Sequence, residues 1–196
     1  MYTTSEVHVN EMEAIRRARQ GDEDAWLALV TEYQTAIFRL AYLLCGDADE
    51  ADDVAQETFV RAYQHLADFD ESRPLRPWLL QITRNVAANQ RRSAQRYLAA
   101  VTRWWQMIAV VRTTAATTVP GAADDTEQLW LAVRALATED QEIIYLRYFL
   151  GLSVAETAQA LNIAEGTVKS RLARALARLR TIIERDYPNL REEVWS

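Results

Sequence analysis

Scarcity marks this chain: its 196 residues include one cysteine, two histidines, four prolines, five glycines and a single lysine, Lys169. The lone Cys45 excludes an internal disulfide and any cysteine cage for a metal. It sits in the apolar run Leu43-Leu44-Cys45, as a plain buried thiol would. His8 lies near the N-terminus and His65 near an expected helix end. No Ser-His-Asp grouping, phosphate-binding loop or metal-ligand spacing accompanies them, so neither catalysis, a metal nor another cofactor is expected. No apolar run approaches the length that spans a bilayer, and the N-terminus lacks a basic-then-apolar signal; a cytoplasmic protein without a membrane partner is expected. So few glycines and prolines amid abundant Ala, Leu, Arg and Glu predict an all-α fold. With about half its residues apolar, the chain can bury one ample core or two small ones. The break at Val119-Pro120-Gly121 favours two small helical domains joined by a linker.

Charge is scarce in one place and crowded in others. The net charge of −6 would ordinarily speak against a polyanion partner. Residues 1–72, however, hold 16 acidic and 5 basic side chains, residues 73–123 hold 8 arginines and no acid, and residues 124–196 hold 12 acidic and 9 basic. Within the last segment, residues 165–185 carry Lys169, Arg171, Arg174, Arg178, Arg180 and Arg185 against Glu165 and Glu184. Two basic surfaces suited to phosphates and one strongly acidic surface are therefore expected, the acidic one facing solvent or a basic protein. The near-exclusive use of Arg is also what a GC-rich coding sequence produces.

Helix punctuation is clear through most of the chain. A helix over 11–19 is followed by Gly21-Asp22 as stop and N-cap, then by a helix over 23–45. Gly46-Asp47, with Glu50, caps a helix over 48–67. After a loop from Asp68 to Arg73, Pro74 and Pro77 bracket the start of a helix over 77–97. Further helices are expected over 124–136, 139–150, 153–161 and 164–186, with Thr138 and Gln141 capping the second and Gly151 ending it. Ser153 with Glu156 forms a capping box, Leu161-Asn162-Ile163 breaks the helix, and a second helix follows at once. That is the pattern of a helix-turn-helix. On the second helix Val168, Leu172, Leu176 and Leu179 recur at helical spacing and face inward. Thr167, Lys169, Ser170, Arg171 and Arg174 are left outward near its start, where such a helix presents side chains to base edges and phosphates. An ordinary amphipathic helix with a solvated basic face is the bland alternative.

In the first half, residues 47–66 place Val54, Phe59, Tyr63 and Leu66 on or near a buried stripe. Asp49, Asp52, Asp53, Gln56 and Glu57 fall toward another face, and a solvated acidic helix would explain that face alone. In residues 69–92, Trp78, Ile82 and Val86 are apolar at helical spacing. Asn85 and Asn89 lie one turn apart on another face beside Arg84, Arg91 and Arg92. Asparagine is a poor helix former, so packing alone would not select this pair; beside arginines it suits nucleotides. Trp78 could stack on a base, but its place on the stripe with Ile82 favours the core.

Taken together, these blocks resemble a sigma factor of the extracytoplasmic-function group, the smallest members of the sigma-70 family of bacterial RNA polymerase. The resemblance spans about residues 20–96 (region two) and 124–186 (region four). It implies a domain at 1–97, a linker at 98–123 and a helix-turn-helix domain at 124–196. It also implies a promoter-specificity subunit that binds core polymerase and melts the start site without catalysing anything. Asp49, Asp52, Asp53, Gln56 and Glu57 would dock on the clamp coiled coil of the largest subunits, with the flap as a further contact; an acidic patch that DNA rejects suits a basic protein surface. The loop Asp68 to Arg76, with Asp70, Ser72, Arg73 and Arg76, would receive a base flipped from the single-stranded minus-10 element. Asn85 and Asn89 would help capture and melt DNA while Arg84, Arg91 and Arg92 hold phosphates. Thr167, Lys169, Ser170, Arg171 and Arg174 would read the duplex minus-35 element, with Arg178 on the backbone.

The linker departs from the family habit of polar, extended chain. Trp104, Trp105, Met107, Ile108, Val110 and Val111 would be costly to expose, so either the preceding helix continues and packs them or they form a protein contact. The group is typically held inactive by an anti-sigma factor, which is expected here too. The chain ends soon after the last helix, so control by a separate protein or by expression level is expected. A stand-alone helix-turn-helix regulator remains the alternative, though it leaves the acidic helix and the paired asparagines unexplained.

Overall fold

The structure, a computed structural model, describes residues 4–108 and 125–187. These residues form eight α-helices and no strand: α1 Thr4–Arg19, α2 Glu23–Cys45, α3 Ala48–Gln64, α4 Leu75–Ile108, α5 Asp125–Arg134, α6 Thr138–Ile144, α7 Val154–Leu161 and α8 Glu165–Asp186. Helices α1 to α3 and the first half of α4, up to Arg91, belong to one compact unit that also takes in Ala155–Ile163. Arg92–Val154 and the chain from Ala164 make the other.

Three residues, Gln20, Gly21 and Asp22, join α1 to α2. Gly21 takes the left-handed conformation (φ 87°), the Asp22 N–H closes on the Arg17 carbonyl, and the Asp22 carboxylate accepts from the Ala25 N–H at 3.0 Å. Asp22 thus finishes one helix and caps the next. Gly46 (φ 81°) and Asp47, whose carboxylate accepts from the Glu50 N–H at 3.0 Å, repeat the device between α2 and α3. In α2, Ala25, Leu29, Tyr33 and Ile37 recur every four residues and are buried with Ile15, Ala18, Ala62, Leu66, Phe69, Leu75 and Leu79. Each fully buried aliphatic side chain there contributes about 1.5–3 kcal/mol. The buried line of α3 is Ala51, Val54, Thr58 and Ala62. Tyr63, expected near that stripe, is instead 48% exposed, with its ring 5.1 Å from that of Trp26.

Helix α4 starts at Leu75, placing Pro77 in its first turn, and runs to Ile108 rather than stopping near 97. No glycine or proline lies between Pro77 and Pro120 to stop it. The first part of the apolar linker is therefore helical backbone. The side chains of Trp104, Trp105, Met107 and Ile108, all of Val110 and Val111, and the break at 119–121 lie outside the described residues.

In the second unit, Ala132 and Ile183 are buried with Leu129, Leu179, Ile182 and Tyr187 against them, and the Trp130 and Phe149 rings stand 4.9 Å apart. The expected Thr138 cap does not form. Ala137 occupies the N-cap position with no side-chain bond, and the Gln141 amide donates to the carbonyls of Arg134 (2.9 Å) and Leu136 (2.7 Å). Gln141 thereby satisfies orphan carbonyls at the end of α5 instead of closing a capping box. Helix α6 continues as a π-helical turn, Tyr145–Phe149, which ends at Gly151 (φ 67°). Asn162 (φ 54°) ends α7: its N–H bonds to Gln159 and that of Ile163 to Ala158, a Schellman closure with asparagine in glycine's usual place. Along α8 the buried residues are Val168, Ala175 and Ile183, while Leu172, Leu176 and Leu179 are half-buried.

Candidate nucleic-acid and polymerase interfaces

The acidic face follows from the packing of α3. With Ala51, Val54 and Thr58 turned into the core, Asp49, Asp52, Asp53 and Gln56 are exposed along the first three turns. Glu57 is half-buried and accepts from Nε of Arg61 one turn on, at 2.6 Å, an i,i+4 pair of small energetic weight. Asp49, Asp52 and Asp53 make an exposed patch of one sign.

Next along the chain is the loop leading into α4. Phe69 is buried, and its ring lies 4.9 Å from that of Trp78, which is half-buried against the core. This is the core role for Trp78 rather than the stacking one. Asp70 organises the turn: one carboxylate oxygen accepts from the Ser72 N–H (3.0 Å) and hydroxyl (2.7 Å), and the other lies 3.3 Å from Nε of Arg73. The Ser72 hydroxyl and amide hold the Asp70 carboxyl below the usual carboxylate range. Sequence reasoning missed a second set of contacts on this loop. Arg19, in the last turn of α1, donates from Nε to the Leu66 carbonyl at 2.8 Å, from Nη2 to the Phe69 carbonyl, and from Nη1 to the Glu71 carboxylate. Arg16 reaches the same carboxylate at 3.2 Å. No local pattern announces bonds spanning some fifty positions; in sequence, Arg16 and Arg19 look like ordinary bases near a helix C-terminus.

On α4 itself Asn85, Asn89 and Arg92 are exposed and Arg76, Arg84 and Arg91 half-buried, with Nη2 of Arg84 3.4 Å from Oδ1 of Asn85. Burial, then the Glu50 carboxylate, push the Cys45 thiol up, and the Arg91 charge opposes them. A thiol held in that way is a poor nucleophile. Among the described residues no group of three His, Cys, Asp or Glu side chains is placed to hold a metal ion, and none of the described helices is long and apolar enough to cross a membrane.

On α8, Lys169, Ser170, Arg174 and Arg178 are exposed, and Thr167 and Arg171 half-buried. Nε of Arg174 donates to the Ser170 carbonyl at 3.3 Å. Two of the arginines are already engaged by α6. Arg171 lies 3.6 Å from the exposed Glu139, and Nη1 of Arg178 donates to Asp140, whose side chain is only 5% exposed. A carboxylate so buried needs a charged partner, so Arg178 ties α8 to α6 while its own side chain stays 57% exposed.

Residues 29–97 match the family described as Sigma-70 region 2, and residues 126–179 match Sigma-70, region 4. The ECF RNA polymerase sigma factor SigL of Mycobacterium tuberculosis (strain ATCC 25618 / H37Rv) is 39% identical over 166 residues, which are 80% of this chain and 88% of that protein. The chain belongs to the extracytoplasmic-function sigma factors. This sigma factor is also similar to SigW of Bacillus subtilis (strain 168), with 31% identity over 85% of this chain and 92% of that one. Among solved structures, it resembles CnrH in complex with the cytosolic domain of CnrY (TM-score 0.66, 27% identity, 90% of this chain and 99% of that one). It also resembles the sigma factor RpoE in complex with the anti-sigma factor NepR from Bartonella quintana (TM-score 0.62, 25% identity, 81% and 96%). As a member of this group the protein directs transcription initiation.

Proposed function

We propose that this sigma factor divides its work among three surfaces. Asp49, Asp52, Asp53, Gln56 and Glu57 dock on core RNA polymerase at the clamp coiled coil. Asp70, Ser72, Arg73, Arg76, Arg84, Asn85, Asn89, Arg91 and Arg92 capture and melt the minus-10 element. Thr167, Lys169, Ser170, Arg171, Arg174 and Arg178 read the minus-35 duplex. The domains implied are 1–97 and 124–196, with 98–123 between them, in a non-catalytic cytoplasmic protein whose second polymerase contact is the flap. An anti-sigma factor is the expected inhibitor, as the CnrY and NepR complexes of its structural relatives suggest.

The observation that carries this reading is the opposition of charge within one unit: an exposed acidic face on α3 and, on α4, an acid-free face bearing paired asparagines and arginines. DNA repels the first and is drawn to the second, so the two fit different partners at once. Mixing the purified chain with core polymerase and genomic fragments and sequencing the run-off transcripts tests it. Transcripts that depend on the protein and start downstream of a shared two-part motif are expected. DNA binding without affinity for core polymerase would instead mark a stand-alone regulator.

A further inference from the structure

The loop assigned to base capture carries Asp68, Asp70 and Glu71 within four positions, a poor surface for a nucleic-acid strand. Two of these acids are turned to partners inside the protein. Asp70 is held by Ser72 and Arg73, and Glu71 by Arg16 and Arg19. Arg19 does more than neutralise, because the same guanidinium donates to the carbonyls of Leu66 and Phe69 on the near side of the loop. Its planar fork therefore pins three points of one segment at once, which a lysine's point charge cannot match in geometry. The group is largely withdrawn from solvent, Arg19 being 23% and Glu71 26% exposed. This many bonds on a surface loop far exceeds what packing of α1 requires, since Ile15 and Ala18 already bury its inner face.

We propose that Arg19 is a positioning residue for minus-10 capture: from α1, it holds the 66–71 segment in shape and offsets the Glu71 charge, so that an unstacked base meets a preformed and less negative pocket. The proposal rests on reading the loop as that pocket. Its benefit is preorganisation, the loop's ordering being met during folding rather than at the moment of DNA binding.

The test uses full-length protein, alone and with core polymerase, and a promoter mapped by run-off transcription. The probes are the single-stranded non-template minus-10 oligonucleotide, the upstream duplex, and the promoter fragment with 2-aminopurine in the minus-10 element, whose fluorescence rises on unstacking. Arg19→Ala is expected to weaken oligonucleotide binding by the holoenzyme about tenfold and to lower the fluorescence rise, with duplex and core affinities within about twofold of wild type. Arg19→Lys should recover part of the loss, and Glu71→Gln, which keeps both carbonyl bonds, should lose less than Arg19→Ala. Wild-type oligonucleotide affinity and opening in Arg19→Ala would overturn the proposal. So would a parallel loss of oligonucleotide, duplex and core binding that tracks a fall in unfolding midpoint, the mark of a merely structural arginine. If the wild-type holoenzyme itself ignores the oligonucleotide while Arg19→Ala leaves the loop's hydrogen exchange unchanged, pocket and clasp both fail; wild-type binding with an unaffected variant removes the clasp alone.

Discussion

The two candidate DNA faces of this sigma factor are built by opposite means. Beside α4 the working element is a loop, and its shape is imposed by side-chain bonds: Asp70 to Ser72 and Arg73 within it, and Arg19 from α1 across it. On α8 the helix supplies the shape, and neighbouring acids restrain the side chains. Glu139 and Asp140 of α6 hold Arg171 and Arg178, leaving Lys169 and Arg174 projecting. A strand pulled out of its duplex needs a concave receptor whose own charges are silenced. A groove needs a straight rod whose cations are kept apart and aimed. Arginine serves in both places, Arg19 with Glu71 being 23% and 26% exposed beside the loop, and Arg178 on α8 staying 57% exposed over a buried Asp140.

The largest effect should come from neither face. An Asp53→Arg, Glu57→Arg double change reverses the α3 patch and is expected to weaken core polymerase binding about a hundredfold while sparing upstream duplex binding, as measured by fluorescence anisotropy against each partner. If duplex binding falls equally, the separation of surfaces is wrong. Arg174→Ala should weaken duplex binding about tenfold and reduce the slope of log affinity against log salt by about 1, whereas oligonucleotide binding stays unchanged. Arg171→Ala should act in the same direction, and Glu139→Gln, which releases Arg171, in the opposite one. Arg178→Ala strands the buried Asp140 carboxylate without its charged partner and should cost about 1–3 kcal/mol in urea unfolding of the intact chain. Glu139→Ala, at an exposed acid, should cost almost nothing.

The smallest effect concerns pH. The Ala25 amide and then the Arg17 guanidinium hold the Asp22 carboxyl below its ordinary value. The folded state therefore binds that proton more weakly than the unfolded chain. The cap's stabilisation is complete above the ordinary carboxylate pKa of about 4 and is lost as pH falls through the lower folded value. Comparing acid unfolding of wild type and Asp22→Asn reads it out; the two curves should converge toward low pH.

Much of the helix pattern was legible because its signals are local. Asp22, Gly46, Asp47 and Asn162 stop or start helices through bonds to residues three to five positions away, and those residues are visible in any window of sequence. Errors arose where a side chain had a choice or a signal was missing. Gln141 bonds backward to Arg134 and Leu136, although its spacing from Thr138 imitates a capping box. Helix α4 overruns residue 97 because only a Pro or Gly would have marked its end. The π-helical turn at Tyr145–Phe149 carries no composition of its own. For the candidate sites, helical periodicity was enough to place the exposed acids of α3 and the asparagine pair of α4 on outward faces. It could not show that Glu139 and Asp140 meet α8, or that Arg19 meets Leu66, Phe69 and Glu71, since such pairings exist only once distant segments have packed.

The clasp also ties two rates together. Arg19 stands three residues before Asp22, the residue that closes α1 and opens α2, so fraying of the last turn of α1 would carry the guanidinium off the loop. Amide protons of Gln20 and Gly21, which close that turn onto Arg17 and Ala18, should then exchange with solvent in step with those of Asp68 and Phe69, some fifty positions away. A helix end, far from any base, would set the clock by which the loop opens.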